Sequence, residues 1–196
     1  MRLILASKSP RRRVLLKAAG LSYSVESPRG ISEEARSGES PRKLVRRLAA
    51  EKALSVAVRR KGAWVVGCDT EVVLHRKRMG KPGNPTEAVR MIRSLEGRTH
   101  QVLSGIAWVD PQGRLRGTEC VESLVTFGRI SKVDLERTLA LREPYDKAGG
   151  YGIQGTASKW VVRLKGDYFN VMGLPVTRLW LGLIRFGAFR SSGPSR

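Results

Sequence analysis

The sequence predicts an α/β protein in which helices flank a mixed, twisted sheet. Short apolar runs of strand length alternate with segments that begin in Ser-Pro or Asn-Pro and continue with apolar residues at helical spacing. With 196 residues, 41% of them hydrophobic, the chain can bury a sizeable core. No linker or internal repeat interrupts it. We therefore predict one domain, 1–189, with two lobes around a central cleft, followed by a disordered basic tail, 190–196.

The chain opens with a predicted strand, Leu3–Ala6, and then a helix that ends near Gly20. A Ser-Pro pair at positions 9 and 10 provides an N-cap hydroxyl and a proline whose fixed φ suits the first helical position. The first turn then carries three arginines, Arg11–Arg13, where free N–H groups and the helix dipole are already positive. An anion would make this arrangement favourable, so the cluster predicts a phosphate pocket. For any single arginine, a solvated basic turn is the alternative.

The next stretch combines a short predicted strand, Tyr23–Val25, with a loop, Ser27–Ser40, that carries Glu33. A second Ser-Pro pair starts a helix that runs through about Val58. Lys52 falls on the apolar stripe of this helix, so its stem should point inward. It is either a lysine that packs its methylenes and keeps its ammonium in water, or a buried cation.

A central strand is predicted at 63–74, where apolar residues flank two carboxylates. Strand alternation places Asp69 and Glu71 on one face and Cys68 and Thr70 on the other. A carboxylate inside an apolar run is costly unless it is paired or bound to a metal. Asp69 is therefore either a catalytic candidate or a strand-end aspartate that accepts hydrogen bonds from a turn.

The middle of the chain predicts a glycine-flanked loop at Lys81, a capped helix from Asn84 to Gly97 and an antiparallel hairpin. Lys81 either reaches a phosphate or remains in solvent. The hairpin strands are predicted at Thr99–Val109 and Leu115–Phe127, and the Asp-Pro-Gln-Gly sequence between them has the composition of a type I turn.

The last part of the chain predicts a helix at Ser131–Leu141, with a carboxylate at its capping-box position, and a strand at Trp160–Leu164. Between them lies a glycine-rich stretch, Glu143–Gly155, that lets backbone N–H groups approach a ligand. Gln154 at its end offers a donor and an acceptor to a base edge. The final helix is predicted to turn five apolar residues inward: Val176, Leu179, Trp180, Leu183 and Ile184.

The charge balance predicts a polyanionic partner without saying which one. The 37 Lys and Arg residues outnumber the 17 Asp and Glu residues, for a formal net charge of +20. No apolar segment approaches the length of a membrane span or of a signal-peptide core, so we expect a cytoplasmic protein that does not enter membranes. The chain has only two cysteines, far apart in sequence, and two histidines, which is too few to favour a zinc site or a His-based catalytic triad. We therefore expect Cys68 and Cys120 to be buried packing residues.

Seven blocks of residues carry a family resemblance, and together they resemble the Maf family of nucleoside triphosphate pyrophosphatases from Leu3 to about Leu183. The blocks are 5–12 (LASKSPRR), 48–53 (LAAEKA), 68–73 (CDTEVV), 80–82 (GKP), 97–102 (GRTHQV), 146–155 (DKAGGYGIQG) and 166–175 (GDYFNVMGLP). The resemblance implies a two-lobed mixed α/β fold related to inosine triphosphate pyrophosphatase and usually a homodimer. It also implies hydrolysis of a nucleoside triphosphate to the monophosphate and pyrophosphate with a divalent cation, Mg²⁺ or Mn²⁺.

The same resemblance assigns roles to individual residues. Asp69 matches the proton acceptor, and Glu33, with Asp69, matches the acidic residues expected near the metal. The phosphate-contacting positions correspond to Ser7, Arg12, Arg13, Lys52 and Lys81. Arg12, Thr70 and Gln154 are similar to the set found in the branch acting on dTTP and UTP, in contrast to the branch acting on 7-methyl-GTP. The sequence departs from the family pattern at Cys68, Ser32 and Gly150.

A second function class follows from charge alone. A protein with a net charge of +20 is also expected to bind nucleic acid or to act as a regulator of cell division through a basic surface. The sequence favours this class less, because no nucleic-acid-binding module is recognisable and aromatic residues make up only 6% of the chain.

Overall fold

A computed structural model describes residues 1–141 and 143–189 and shows a seven-stranded mixed sheet. The spatial order is β2-β1-β3-β5-β6-β7, with the short β4 paired to β3. The pairs of β1 with β2 and β3 are parallel, and the other pairs are antiparallel. The strands are β1 (Leu3–Ala6), β2 (Ser24–Glu26), β3 (Trp64–Leu74), β4 (Lys77–Arg78), β5 (Thr99–Val109), β6 (Leu115–Phe127) and β7 (Val161–Lys165). The predicted fold class is confirmed, and the predicted tail, 190–196, lies outside the described residues.

Six α-helices occur in the described residues, and the first four along the chain begin at the predicted signals. The hydroxyl of Ser40 accepts from the N–H of Lys43, and the side chain of Asn84 accepts from the N–H of Glu87. Ser9 is the N-cap of the first helix and is followed by proline as predicted, but its hydroxyl makes no capping bond. The helices are α1 (Pro10–Ala18), α2 (Pro41–Ala57), α3 (Pro85–Leu95), α4 (Lys132–Ala140), α5 (Tyr168–Met172) and α6 (Val176–Arg185), with short 3₁₀ turns at Glu143–Asp146, Ala148–Gly150 and Thr156–Trp160.

The predicted hairpin forms with the predicted strand bounds. β5 and β6 pair from Thr99 opposite Thr126 to Val109 opposite Leu115, with one irregularity at the turn end. The carboxylate of Asp110 accepts from the N–H groups of Gln112 and Arg114 and so closes the turn. This long hairpin contributes buried residues to two separate apolar clusters.

Two large apolar clusters occupy opposite halves of the long strands. One contains Val72, Val102 and Phe127, with residues of α3, and the other contains Leu5, Val66 and residues of α6. The cleft predicted between two lobes lies at the junction of these clusters, where β3 passes from one to the other.

The cores correct two predictions. In α6, Leu179 and Leu183 are buried as predicted, but the predicted inward orientation is wrong for Trp180 and Ile184, which are exposed, and Val176 is only half-buried. A helix of this length turns one apolar stripe to the sheet, and these two residues lie beside that stripe. Cys68 is buried as predicted, but Cys120 is only half-buried. None of the helices in the described residues is long and apolar enough to cross a bilayer.

Candidate active site

The site lies at a gap along one edge of β3. On that edge, β1 pairs with Trp64–Gly67 and β4 pairs with Val73 and Leu74. Among the described residues, no strand pairs with 68–72 on that edge, although the other edge of 68–72 pairs with β5 throughout. Side chains from the middle of a buried strand therefore open into a cavity instead of into the core. This gap explains how a central strand can present carboxylates to a ligand.

A cavity of about 740 Å³ occupies this gap. Its walls come from the β1–α1 connection, the loop before α2, strand β3, the loop after β4 and the glycine-rich segment around Tyr151. The cavity brings together predicted site residues that are up to 147 positions apart in sequence (from 7 to 154). Those that line it are Ser7, Arg12, Glu33, Lys52, Asp69, Thr70, Lys81 and Gln154.

Helix α2 places Lys52 over β3 because two strand glycines let its backbone lie directly on the sheet. A Cβ at Gly67 would lie 2.1 Å from the carbonyl oxygen of Ala49, and a Cβ at Gly105 would lie 1.9 Å from that of Val45. Either alanine would push α2 away from the sheet. The height of Lys52 above β3 is thus fixed by glycines in two neighbouring strands.

Lys52 is a buried cation that joins two carboxylates. The residue is 8% exposed, and its Nζ lies 2.6 Å from Asp69 Oδ1 and 2.6 Å from Glu33 Oε1. Burial lowers the pKa of Lys52, but the charges and hydrogen bonds of the two carboxylates outweigh it and leave the pKa above its ordinary value. The hydrogen bond from Lys52 is the main cause that lowers the pKa of Glu33. The inward-pointing interpretation of Lys52 is confirmed.

Two carboxylate oxygens in the cavity have no hydrogen-bond partner among the described residues. Asp69 Oδ2 and Glu71 Oε2 are both buried, in residues that are each 7% exposed. Glu71 forms an ion pair with Arg78 through its other oxygen, and burial nevertheless raises the pKa of Glu71. Asp69 lies in mid-strand opposite Gly105, so the alternative of a strand-end aspartate is wrong. Unpaired buried oxygens of this kind are expected to bind a water or a cation.

Arg12 is held at the other side of the gap by three hydrogen bonds. Its Nε donates to the carbonyl oxygen of Gly173 at 2.7 Å, its Nη2 to Thr70 Oγ1 at 3.1 Å and its Nη1 to Ser7 Oγ at 3.4 Å. Thr70 Oγ1 also lies 2.9 Å from Ser104 Oγ. Thr70 is thus one of three groups that hold the guanidinium of Arg12 in the cavity.

The structure does not bring Arg13 to the cavity. Arg13 is exposed, whereas Arg11 and Arg12 line the cavity. Arg11 Nη1 lies 3.3 Å from Asp146 Oδ2, on the glycine-rich segment across the cleft. Successive helical residues point about 100° apart, so one face of α1 cannot present all three arginines.

Sequence reasoning also missed two cations of the site. Arg78 pairs with Glu71, and the buried Lys147 lies with its Nζ 2.6 Å from Asp146 Oδ1. Arg78 stands in a basic stretch directly after β3, and Lys147 stands in the DKAGG block that carries the family resemblance. Their positions in these stretches could have marked them as candidate site residues. Their ion-pair partners could not be predicted, because the partners depend on the tertiary fold.

Lys81 and Gln154 lie at opposite ends of one connected wall. Both side chains are exposed and line the cavity. The N–H of Gly149 donates to the carbonyl oxygens of Gly80, at 2.9 Å, and of Met79, at 3.1 Å, which ties the glycine-rich segment to the Lys81 loop. Gly149 and Gly150 have φ of +73° and +72°, a conformation that other residues rarely adopt.

The chain resembles known proteins over nearly its whole length. Residues 2–186 match the family described as Maf-like protein. A protein of Symbiobacterium thermophilum named dTTP/UTP pyrophosphatase is 44% identical over 94% of each chain. A protein of the same name from Koribacter versatilis is 42% identical over 95% of each chain.

A solved structure also shows a partial likeness. The nucleoside-triphosphatase, or dITP/XTP pyrophosphatase, of Mycobacterium abscessus aligns with 66% of this chain and 76% of its own at 19% identity and a TM-score of 0.44. At that TM-score the likeness carries no weight, and membership rests on the full-length matches above. The chain belongs to the Maf family.

Proposed function

We propose that the protein hydrolyses dTTP and UTP to the nucleoside monophosphate and pyrophosphate. The observation that carries this proposal is the gathering of Arg12, Lys52 and Lys81 around Asp69 in one cavity. A triphosphate is a dense anion, and fixed cations stabilise the charge that develops on a pyrophosphate leaving group. The pyrimidine preference is supported by the names of the two relatives and by the presence of Arg12, Thr70 and Gln154 in the same cavity.

Asp69 is the proposed general base. Lys52 occupies its Oδ1, so Oδ2 remains available to accept a proton from a water. The oxygen of that water bonds to the α-phosphorus, while the bond from the α-phosphorus to the bridging oxygen of pyrophosphate breaks. The proton passes to Asp69 Oδ2, and the leaving pyrophosphate keeps the electron pair of the broken bond. Lys52 stays charged throughout and keeps Asp69 oriented.

The carboxylates of the cavity fit a hard divalent cation, Mg²⁺ or Mn²⁺. Asp69 Oδ2 and Glu71 Oε2 are buried and unpartnered, and Glu33 adjoins them through Lys52. No group of three His, Cys, Asp or Glu residues suited to a metal occurs in the described part of the chain. Mg²⁺ is commonly held by one or two carboxylates together with substrate phosphates, which agrees with this donor set. When bound, such a cation supplies charge stabilisation at the phosphates and lowers the pKa of a bound water.

The proposal is tested by pyrophosphate release from a panel of triphosphates: dTTP, UTP, CTP, ATP, GTP and 7-methyl-GTP. We expect the highest kcat/KM for dTTP and UTP, loss of activity in a chelator, and recovery on addition of Mg²⁺ or Mn²⁺. Full activity in the chelator would overturn the metal assignment. A preference for 7-methyl-GTP would overturn the pyrimidine assignment. The homodimer and the cytoplasmic location stay predictions, the former measurable by light scattering.

A further inference from the structure

A buried hydrogen bond lies directly behind the wall that carries Gln154. His100 Nε2 in β5 lies 2.6 Å from the hydroxyl of Tyr151, and the two residues are 1% and 6% exposed. Tyr151 is also the first of four successive residues that line the cavity, 151–154. The hydroxyl points away from the cavity toward the sheet, so the bond connects the wall to β5.

An aromatic cluster surrounds this bond. Phe127 makes edge contacts with the rings of His100, at 5.1 Å, and Tyr151, at 4.8 Å, and Trp160 packs against Phe127 at 6.0 Å. Burial lowers the pKa of His100 to about 4, so the imidazole is neutral. The pair is therefore a neutral hydrogen bond inside an apolar cluster.

The cost of this arrangement suggests a role besides stability. His100 Nδ1 has no hydrogen-bond partner among the described residues, and an unpaired buried nitrogen is unfavourable. Replacing both members of a buried hydrogen-bonded pair by apolar groups of similar shape is often neutral or stabilising. A polar pair at this point defines the position of the Tyr151 ring more narrowly than apolar packing would.

Two parts of the glycine-rich segment are anchored differently. Its middle is held by backbone hydrogen bonds from Gly149 to the Lys81 loop. Beyond the two left-handed glycines, the stretch 151–154 belongs to no strand or helix, and the Tyr151 side chain reaches into the core. The bond to His100, together with the burial of Ile153 in the same apolar cluster, therefore holds the part of the segment that carries Gln154.

We propose that His100 and Tyr151 are positioning residues that hold segment 151–154 for recognition of the nucleobase. This inference rests on the proposed function, because it assigns the base-binding end of the same cavity. Neither residue takes part in the hydrolytic step. The pair should influence how well, and which, nucleotides bind, and it should leave the rate of the chemical step nearly unchanged.

The test compares Tyr151→Phe with Tyr23→Phe. Both remove one tyrosine hydroxyl from a short hydrogen bond, because Tyr23 donates to the carbonyl oxygen of Arg13 at 2.7 Å, outside the cavity lining. For Tyr151→Phe we expect KM for UTP and dTTP to rise about five-fold, as one lost hydrogen bond implies, with kcat within about two-fold of wild type. The preference for UTP over ATP should fall in parallel. Tyr23→Phe should change none of these.

A double variant and amide hydrogen exchange complete the test. If the hydrogen bond itself holds the segment, the double variant His100→Leu/Tyr151→Phe should raise KM no further than Tyr151→Phe alone. Exchange of amides 151–155 should become faster in Tyr151→Phe and stay unchanged in Tyr23→Phe. The inference would be overturned if Tyr151→Phe lowered kcat only in proportion to its fraction of folded protein and left KM, base preference and local amide exchange unchanged.

These measurements separate the inference from the proposed function. One outcome is that the wild type hydrolyses no triphosphate while amide exchange at 151–155 still becomes faster in Tyr151→Phe. That result would refute the proposed function and the role in base recognition. It would still support the anchoring of segment 151–154 by the hydrogen bond. If the wild type hydrolyses UTP normally and Tyr151→Phe is indistinguishable from it in KM, base preference and exchange, only the inference fails.

Discussion

The two ends of the cavity are built by opposite means. At one end, the buried ammonium of Lys52 joins Asp69 and Glu33, and carboxylate oxygens remain unpaired. At the other end, the wall at Tyr151 is supported by a neutral hydrogen bond within an aromatic cluster. The unpaired carboxylate oxygens of the first end cost free energy that a bound cation would offset. At the second end, Nε2 of His100 and the hydroxyl of Tyr151 already pair with each other.

From this difference we expect the buried carboxylates and Lys52 to affect mainly the rate of hydrolysis, and the wall at Tyr151 to affect mainly the binding of the base. Changes at the charged end should alter kcat, and changes at the aromatic end should alter binding and selectivity. The four predictions below test that division, beginning with the largest expected effect.

The largest effect is expected from Asp69→Asn. The change keeps the shape of the side chain but removes the base, so kcat for UTP should fall by about 10²- to 10⁴-fold. Binding of a non-hydrolysable UTP analogue, measured by calorimetry, should change much less. The control Glu119→Gln alters a surface carboxylate that pairs with Arg178 and should leave kcat unchanged. Equal kcat in wild type and Asp69→Asn would refute the role of Asp69.

The folding stability that His100 contributes at the aromatic end should depend on pH in the acid range. The pKa of His100 is about 4 in the folded protein against an ordinary 6.5, so on acidification the unfolded chain takes up the proton first. Folding stability is therefore lost between pH 6.5 and pH 4, by about 3 kcal/mol in total from this group.

The measurement is the free energy of unfolding in urea from pH 7 to pH 4, compared with His100→Asn. The difference between the two proteins cancels other groups, including Glu71, whose raised pKa acts in the opposite direction. His75→Gln removes the other, exposed histidine and should keep the wild-type slope. A wild-type slope in His100→Asn would show that this histidine is not responsible.

Gly67→Ala should disturb the charged end through α2. The added Cβ would lie 2.1 Å from a backbone oxygen of α2, so we expect a loss of about 1–3 kcal/mol in unfolding free energy. The displaced Lys52 should also lower kcat. At Gly80 a Cβ meets no atom within 4 Å, so Gly80→Ala should leave stability within about 0.5 kcal/mol of wild type in the same urea titration. Equal stability of the two variants would mean that the glycine contact does not set the position of α2.

The smallest effect is expected from Thr70→Val, which removes one of three hydrogen bonds to Arg12. Because Gly173 and Ser7 still hold the guanidinium, KM for UTP should rise by only a few fold. Thr70→Ser keeps the hydroxyl and should restore the wild-type KM. If both variants bind UTP as wild type does, Thr70 does not act through Arg12.

Local features were predictable from the sequence. The Ser-Pro start of α2, the strand that contains Asp69 and the hairpin from Thr99 to Phe127 all follow from capping, alternation and turn composition within a few residues. The inward direction of the Lys52 stem followed from its place on an apolar stripe, whereas the burial of its ammonium depends on pairing with Glu33 and Asp69. The predicted features depend on neighbours in sequence, which is why sequence reasoning reached them.

Features that depend on distant partners were not predictable in the same way. Nothing in the first turn of α1 distinguishes Arg11 from Arg13, because the choice depends on which face of the helix meets the cleft. The partner of His100 lies 51 positions away. The exposure of Trp180 and Ile184 depends on how far the sheet extends beneath α6. The family resemblance named residues that local patterns left open, among them Glu33 and Gln154, which line the cavity, and Arg13, which does not.

The most direct test of the central claim, attack of an Asp69-activated water on the α-phosphorus, is hydrolysis of UTP in water enriched in ¹⁸O. The product isotopes are read by mass spectrometry. We predict one ¹⁸O atom in the nucleoside monophosphate and none in the pyrophosphate. Label in the pyrophosphate, or release of inorganic phosphate in its place, would contradict the claim.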